Sequence, residues 1–321
     1  MKTESDNLKK IVFMGTPDFA SHILERLLSS EYIVQAVFTQ PDRPKGRSGK
    51  LQMSPVKEVA AAAGIPVYQP LKIREGENYT ILSELAPDVI VVAAFGQIIP
   101  RQILDLPKYG CINVHASLLP AYRGAAPIQW AILNGESVTG VTTMQMGTGL
   151  DTGDMIEKIE VPIAADETGG SLFDKLKEAG ADVLMSTLAA LNDGTAVRTP
   201  QPEESPTAYA SMLTHKTGEI DWTAPAAVIE RKVRGLNPWP SAYTYLNGRQ
   251  LKIWRSAVLD GKAPSGADAG TIVRASGAEL WIQTGDGILA VQELQLEGKK
   301  RLETDAFLRG CHPEEGMLLG Q

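Results

Sequence analysis

Along the first half of the chain, short apolar runs alternate with segments whose apolar residues recur at helical spacing. KKIVFMG (9–15), YIVQAVFTQ (32–40), DVIVVAAF (88–95), CINVHA (111–116) and TGVTTMQM (139–146) read as five strands. The third is apolar on both faces, as in a parallel sheet covered by helices. DFASHILERLLSS, from Asp18, places Phe19, Ile23, Leu24, Leu27 and Leu28 on one helical face, with Asp18 as an N-cap. Ser54-Pro55 opens a second helix that runs through Ala63, a capping residue followed by proline at the first helical position. Strands separated by helices predict right-handed βαβ units and an α/β fold with a doubly wound parallel sheet.

The pattern changes later in the chain. A long helix over about 170–192 is followed by DGTAVRTPQPEESPTAYA, rich in Pro, Thr and Glu, which reads as a linker. Beyond it, short alternating runs are divided by turn signals. SAYTYLNGRQLKIWRSAVL carries an Asn247-Gly248 hairpin turn, and TIVRAS, ELWIQT and GILAVQELQL read as further strands. A small β-barrel is the expected second domain. The division reads as a catalytic domain over 1–195, a linker over 196–210 and a second domain over 211–321.

Length agrees, since 321 residues exceed what one core usually organises. The first ten residues, MKTESDNLKK, are polar and no apolar run approaches the roughly 18 residues that span a bilayer, so a cytoplasmic protein without a membrane partner is expected; a monomer is also expected. Cys111 and Cys311 lack any disulfide or zinc spacing, so no metal is expected. A net charge of -7 argues against non-specific nucleic-acid binding by the whole molecule; polyanion contact would need local basic patches.

Ligands of doubly wound sheets bind beyond the carboxyl ends of the strands. That rule gathers Gly15-Thr16-Pro17, the segment after Gln40, Phe95-Gly96, the segment 113–120 and the loop 147–154 around one crevice. MGTPDFA lacks the G-x-G-x-x-G spacing that lets a pyrophosphate approach a helix end, which argues against NAD. Asn113 and His115, two apart on a strand, share a face. His115 taken alone is as compatible with a satisfied structural histidine as with a catalytic one. Asp151 lies between Gly149 and Gly153, which suits close backbone approach to a ligand. The combination offers a carboxamide donor for an oxyanion, a general base and a group to orient that base; with no nucleophile elbow, direct transfer between two bound substrates is more natural than a covalent enzyme intermediate.

Leu118, Leu119 and Pro120 are either a packed turn or a wall for a flat aromatic ligand. Arg123 reads as a solvated charge. QPDRPKGRSGK (40–50) sets Arg43, Lys45, Arg47 and Lys50 against Asp42; its prolines and glycines predict a long basic loop suited to a phosphate-bearing partner.

MGTPDFA, QPDRPKGRSGKLQMSPVK, CINVHASLLPAYRGAAPIQWAI, GVTTMQMGTGLDTGDM and LNPWPSA together resemble the methionyl-tRNA formyltransferases, in that family's order and almost from end to end. The resemblance implies a Rossmann-like formyltransferase domain and a C-terminal OB-like β-barrel. It implies transfer of the formyl group of 10-formyltetrahydrofolate to the α-amino group of methionine on initiator tRNA. By the same resemblance Asn113, His115 and Asp151 are catalytic and Ser117, Leu118, Leu119 and Pro120 bind folate, with Phe95 and Gly96 at the same crevice. Arg43, Lys45, Arg47 and Lys50 contact the tRNA, Arg43 foremost. Ala116 stands where glycine is common in the family, and Gly147 where an acidic residue is common. In the C-terminal part, Lys216, Arg231, Lys232, Arg234 and Lys252 are candidates for RNA contact.

Two alternatives stand beside this reading. One is a folate-dependent formyltransferase for a small amine, such as glycinamide ribonucleotide or an amino sugar nucleotide, which would need neither the basic insertion nor the second domain. The other is a folate- or RNA-binding module without catalysis, against which the intact Asn/His/Asp set argues.

Overall fold

A computed structural model describes residues 7–45, 49–259 and 266–320. The chain forms two compact units. Unit 1 comprises Met1–Pro127, Val138–Pro162 and Phe173–Ala210; unit 2 comprises Ile128–Ser137, Ile163–Leu172 and Ser211–Gln321. The expected boundaries follow the chain in single cuts, whereas these units alternate along it before residue 173.

The amino-terminal elements run β1 (Lys10–Gly15), α1 (Asp18–Leu28), β2 (Ile33–Phe38), β3 (Arg43–Lys45), β4 (Lys50–Gln52), α2 (Pro55–Ala62), β5 (Val67–Tyr68), α3 (Gly76–Leu85), β6 (Val89–Ala93) and α4 (Arg101–Leu104). They continue with β7 (Cys111–His115), α5 (Pro127–Leu133), β8 (Val138–Gln145), β9 (Met155–Pro162) and α6 (Gly169–Asp193). Each strand of the apolar pattern is present, because each run buries both faces: β6 and β7 are buried at every position. The N-cap of α1 is Pro17, with Asp18 inside the first turn, where its charge favours the helix N-terminus. Ser54 caps α2 as expected, its Oγ accepting the Lys57 N–H at 3.1 Å.

The strands of unit 1 form one sheet in the order β5-β2-β1-β6-β7-β8-β9. The first five are parallel and trace the doubly wound order, with the switch point between β1 and β6. The expectation of an all-parallel sheet is corrected at its far side: β8 pairs antiparallel with β7, and β9 antiparallel with β8. The chain crosses over to β8 so as to run back beside β7, and β9, not foreseen, follows as the alternating MIEKIEVP. As a result, Gln145 at the end of β8 lies opposite Ile112 at the beginning of β7. Met14, Phe38, Ile90 and Ile103 form part of the core on one side of this sheet.

In unit 2 the elements are a 3-10 turn (His215–Gly218), α7 (Ala226–Gly235), β10 (Ala242–Leu246), β11 (Arg249–Val258), β12 (Ile272–Ser276), β13 (Glu279–Gln283), β14 (Ile288–Leu296), β15 (Leu302–Glu303) and α8 (Thr304–Gly310). The six strands pair antiparallel, in the path β10-β11-β14-β13-β12, with β15 on β14. No pairing among the described residues closes them into the expected barrel. Asn247 (φ +51°) and Gly248 (φ +71°) turn β10 into β11 with both residues in the left-handed region, as the hairpin signal requires. Trp222, Ile229, Leu251, Ile282, Leu289 and Phe307 belong to its core. Among the described residues no helix is long and apolar enough to cross a membrane.

Candidate active site

β7 delivers Asn113 and His115 from consecutive same-face positions, and both are buried, at 8% and 6% exposure. His115 Nε2 lies 3.0 Å from the Tyr122 carbonyl oxygen. A carbonyl can only accept, so Nε2 carries the proton and the lone pair of the neutral ring sits on Nδ1. Nδ1 faces Asp151 Oδ2 at 3.8 Å, and the Asp151 side chain is itself largely buried. The Asn113 carboxamide, although buried, pairs with no protein group among the described residues. A carboxamide that the protein leaves unpaired on the strand face of His115 is a place for a ligand atom.

His115 and Asp151 meet, but not by the route expected for Asp151, and Asn113 shares the strand face of His115. Because β8 is antiparallel, the loop after it starts at the opposite end of β7 and returns to reach His115. Asp151 sits at φ +52°, a conformation that a non-glycine residue adopts only when its surroundings hold it. Its Oδ2 accepts the Gly124 N–H at 3.0 Å. Gly124, at φ +129°, has no room for a side chain, since a Cβ would lie 2.5 Å from the Ala210 carbonyl oxygen. Gly149 and Gly153 serve the loop rather than a ligand: a Cβ on Gly153 would meet the Gln145 carbonyl at 1.9 Å, and one on Gly149 the Thr152 hydroxyl at 2.2 Å.

The segment expected to be a linker holds this site. Ser205 Oγ donates to the Pro120 carbonyl at 2.8 Å, Thr207 Oγ1 accepts the Tyr122 N–H at 2.7 Å, and Ala210 exchanges backbone bonds with Arg123 and Ala125. Arg123 is buried, contrary to the expectation of a solvated charge. Its Nε donates to Gln201 Oε1 at 3.0 Å, Nη2 to the Pro202 carbonyl at 2.7 Å and Nη1 to the Glu203 carbonyl at 3.0 Å. Sequence reasoning missed Arg123, Gln201 and also Thr142, which pairs with His115 across β7 and β8. Thr142 Oγ1 donates to the Ser117 carbonyl at 2.7 Å and accepts the Leu119 N–H at 3.1 Å. The one available signal for Thr142 was a hydroxyl in a buried strand, a signal it shares with Thr139 and Thr143.

Of the residues expected to meet folate, Leu118 and Pro120 are half-buried and Gly96 is exposed. Ser117, Leu119 and Phe95 carry buried side chains. Ser117 Oγ donates to the Ala121 carbonyl at 2.6 Å, and Leu119 packs with Met144 and Met155. The Leu119–Pro120 peptide is cis. At the switch point the Phe95 carbonyl accepts Thr16 Oγ1 at 3.3 Å and Gln40 Nε2 at 3.1 Å, which ties the ends of β1, β2 and β6 together. Ala94 and Gly96, both at positive φ, leave exposed backbone there. Among the described residues no group of His, Cys, Asp and Glu could hold a metal ion.

The basic segment is not the irregular loop expected. β3 and β4 form a ribbon with Arg43 opposite Gln52, Pro44 opposite Leu51 and Lys45 opposite Lys50. Both strands of a two-stranded ribbon are edges, so Pro44 removes no bond the fold needs. Arg43 is exposed, and at the ribbon's base Lys57 Nζ pairs with Asp42 Oδ2 at 2.6 Å. That hydrogen bond, with a second from Gln69, holds the Asp42 carboxyl below the usual carboxylate range. Arg47 lies outside the described residues. Of the cations expected in the C-terminal part, three lie on α7 and are engaged within unit 2: Arg234 with Glu230 at 2.7 Å, Arg231 with the Leu133 carbonyl, and Lys232 with the Glu219 carbonyl. Lys252 lies over the Trp254 ring.

Residues 9–188 match the family described as formyl transferase, and residues 212–312 match the formyl transferase C-terminal domain. A methionyl-tRNA formyltransferase of Agathobacter rectalis is 54% identical over 96% of this chain and 98% of its own. One from Geobacter sulfurreducens is 50% identical over 97% of each. Among solved structures, WlaRD, a sugar 3N-formyl transferase crystallised with dTDP and 5-N-formyl-THF, superposes with a TM-score of 0.66 at 19% identity, over 91% of this chain and 99% of that one. HypX from Aquifex aeolicus in complex with tetrahydrofolic acid does so at 0.59 and 17% identity, over 98% of this chain and 51% of that one. The two structures share the fold, while identity of about half over nearly the whole length decides the family: the chain belongs to the methionyl-tRNA formyltransferases.

Proposed function

We propose that the protein transfers the formyl group of 10-formyltetrahydrofolate to the α-amino group of methionine esterified to initiator tRNA, as a cytoplasmic monomer serving translation initiation. The observation that carries this reading is His115 Nδ1 facing Asp151 Oδ2 at 3.8 Å, with Asn113 on the same face of the strand. The folate supplies an activated formyl group. Asn113 donates to the formyl oxygen as it becomes negative on attack by the amine, a contact stronger in the transition state than before it. His115, with Nε2–H engaged by Tyr122, begins as the base and takes the amine proton on Nδ1. The imidazolium so formed is stabilised by Asp151, and its Nδ1–H then gives the proton to N10 as the C–N10 bond breaks. His115 ends neutral, as it began. The bond from carbon to the methionyl nitrogen replaces the one to N10.

On this reading Leu118, Pro120 and the Ala94–Gly96 backbone flank the folate, while Ser117, Leu119 and Phe95 shape the wall from behind. Arg43, Lys45, Arg47 and Lys50 meet tRNA phosphates, and the antiparallel sheet of unit 2 serves as an OB-like nucleic-acid-binding domain. The test is a formylation assay with 10-formyltetrahydrofolate and either methionyl initiator tRNA or an amino sugar nucleotide as acceptor. Formylmethionyl-tRNA is the expected product. Turnover of the small amine with none of the tRNA would overturn the reading.

A further inference from the structure

The side chain of Gln201 joins the loop that presents Asp151 to the loop that receives it. Gln201 Nε2 donates to the Asp151 carbonyl at 2.9 Å and to the Gly153 carbonyl at 2.8 Å. Its Oε1 accepts Arg123 Nε at 3.0 Å. Both ends of the amide are fixed by chemistry, since two carbonyls can only accept and a guanidinium can only donate. A flipped amide would oppose like groups at all three contacts. Arg123 is in turn held by the Pro202 and Glu203 carbonyls, so one planar fork grips three consecutive residues of the strap. No carboxylate appears among these three partners. A buried guanidinium satisfied by neutral acceptors is a poor stability device, because its desolvation is only partly offset. Its evident product is a fixed orientation for Gln201.

The loop so gripped needs holding. Asp151 stands in the left-handed region, which a residue with a side chain seldom holds without restraint from its surroundings. Gly124 restrains the carboxylate end, and Gln201 restrains the main chain on both sides of Thr152. We infer that Gln201, oriented by Arg123, is a positioning residue that holds Asp151 against His115 Nδ1. This rests on the catalytic role given above to Asp151.

Gln201→Glu separates positioning from packing, because it keeps the shape and the acceptor for Arg123 but sets a carboxylate oxygen against the Asp151 and Gly153 carbonyls. The expected result is a kcat roughly 10- to 100-fold lower, with KM for folate and for tRNA changed less than about twofold and the thermal midpoint preserved. In an Asp151→Ala background the same substitution should reduce kcat by less than about twofold, since residues acting through one another are not additive. Gln201→Met, of similar length without donor or acceptor, is read in the same way if the glutamate variant does not fold. An unchanged kcat in the otherwise native enzyme, or an equal loss with and without Asp151, would overturn the positioning role. Full activity of Asp151→Ala alone would instead overturn the catalytic reading on which it rests.

Discussion

His115 turns Nδ1 toward Asp151 Oδ2 across 3.8 Å while Nε2–H donates to the Tyr122 carbonyl at 3.0 Å. The backbone of one loop thereby selects the tautomer, and the side chain of another waits for the charge that proton uptake creates. His115→Ala and Asp151→Ala should each lower kcat by roughly 100-fold or more, with folate affinity nearly unchanged. Steady-state kinetics with binding titrations checks both. Near-normal turnover in either variant would remove that residue from the chemistry.

Gly124 lies between the Asp151 carboxylate and the Ala210 carbonyl, at a backbone angle that disfavours any side chain. Gly124→Ala should destabilise the fold by about 1–3 kcal/mol, since it adds strain and displaces the strap. Urea unfolding measures the loss. A variant as stable as the parent would mean that the strap yields without cost.

Arg43 is exposed on the β3–β4 ribbon. Arg43→Ala should raise KM for tRNA several-fold and flatten its dependence on salt by about one counterion, leaving KM for folate alone. Titrating the tRNA KM against potassium chloride tests this. An unchanged slope would show that the ribbon meets no phosphate.

Burial pushes the Cys111 thiol up to about 12, and its hydrogen is shared with the carbonyls of Ile103 and Leu104. A thiol reagent at pH 8 should label Cys311, which is half-buried, and reach Cys111 only after unfolding. The raised value also gives a sign: the stabilisation is complete below the unfolded thiol's 9.0 and is lost as pH climbs toward about 12. Alkaline loss of stability over that range should therefore be smaller in Cys111→Ala. Rapid labelling of two thiols in the native protein would contradict the burial.

Much of this arrangement was legible because it depends on local order. Asn113 and His115 share a face through strand alternation alone, Ser54 and Pro55 start α2 through short-range backbone bonding, and Asn247-Gly248 sets its own hairpin. Arg123 and Gln201 were not legible. Nothing in YRG announces a buried guanidinium, and nothing in the Pro- and Thr-rich run around Gln201 announces a strap, because both depend on partners some 78 residues apart. The ribbon of β3 and β4 was hidden for a related reason: proline excludes a central strand, not an edge.

The sequence by itself determined the residue types of the site, the doubly wound half of the sheet and the family, since period, spacing and motif order are properties of the chain. Only the tertiary structure decided that β8 runs antiparallel, that the Asp151 loop must therefore return to His115, and that the presumed linker holds it there. Strand direction and the pairing of distant loops are set by which arrangement buries both faces and satisfies every backbone group at once. No local pattern carries that information.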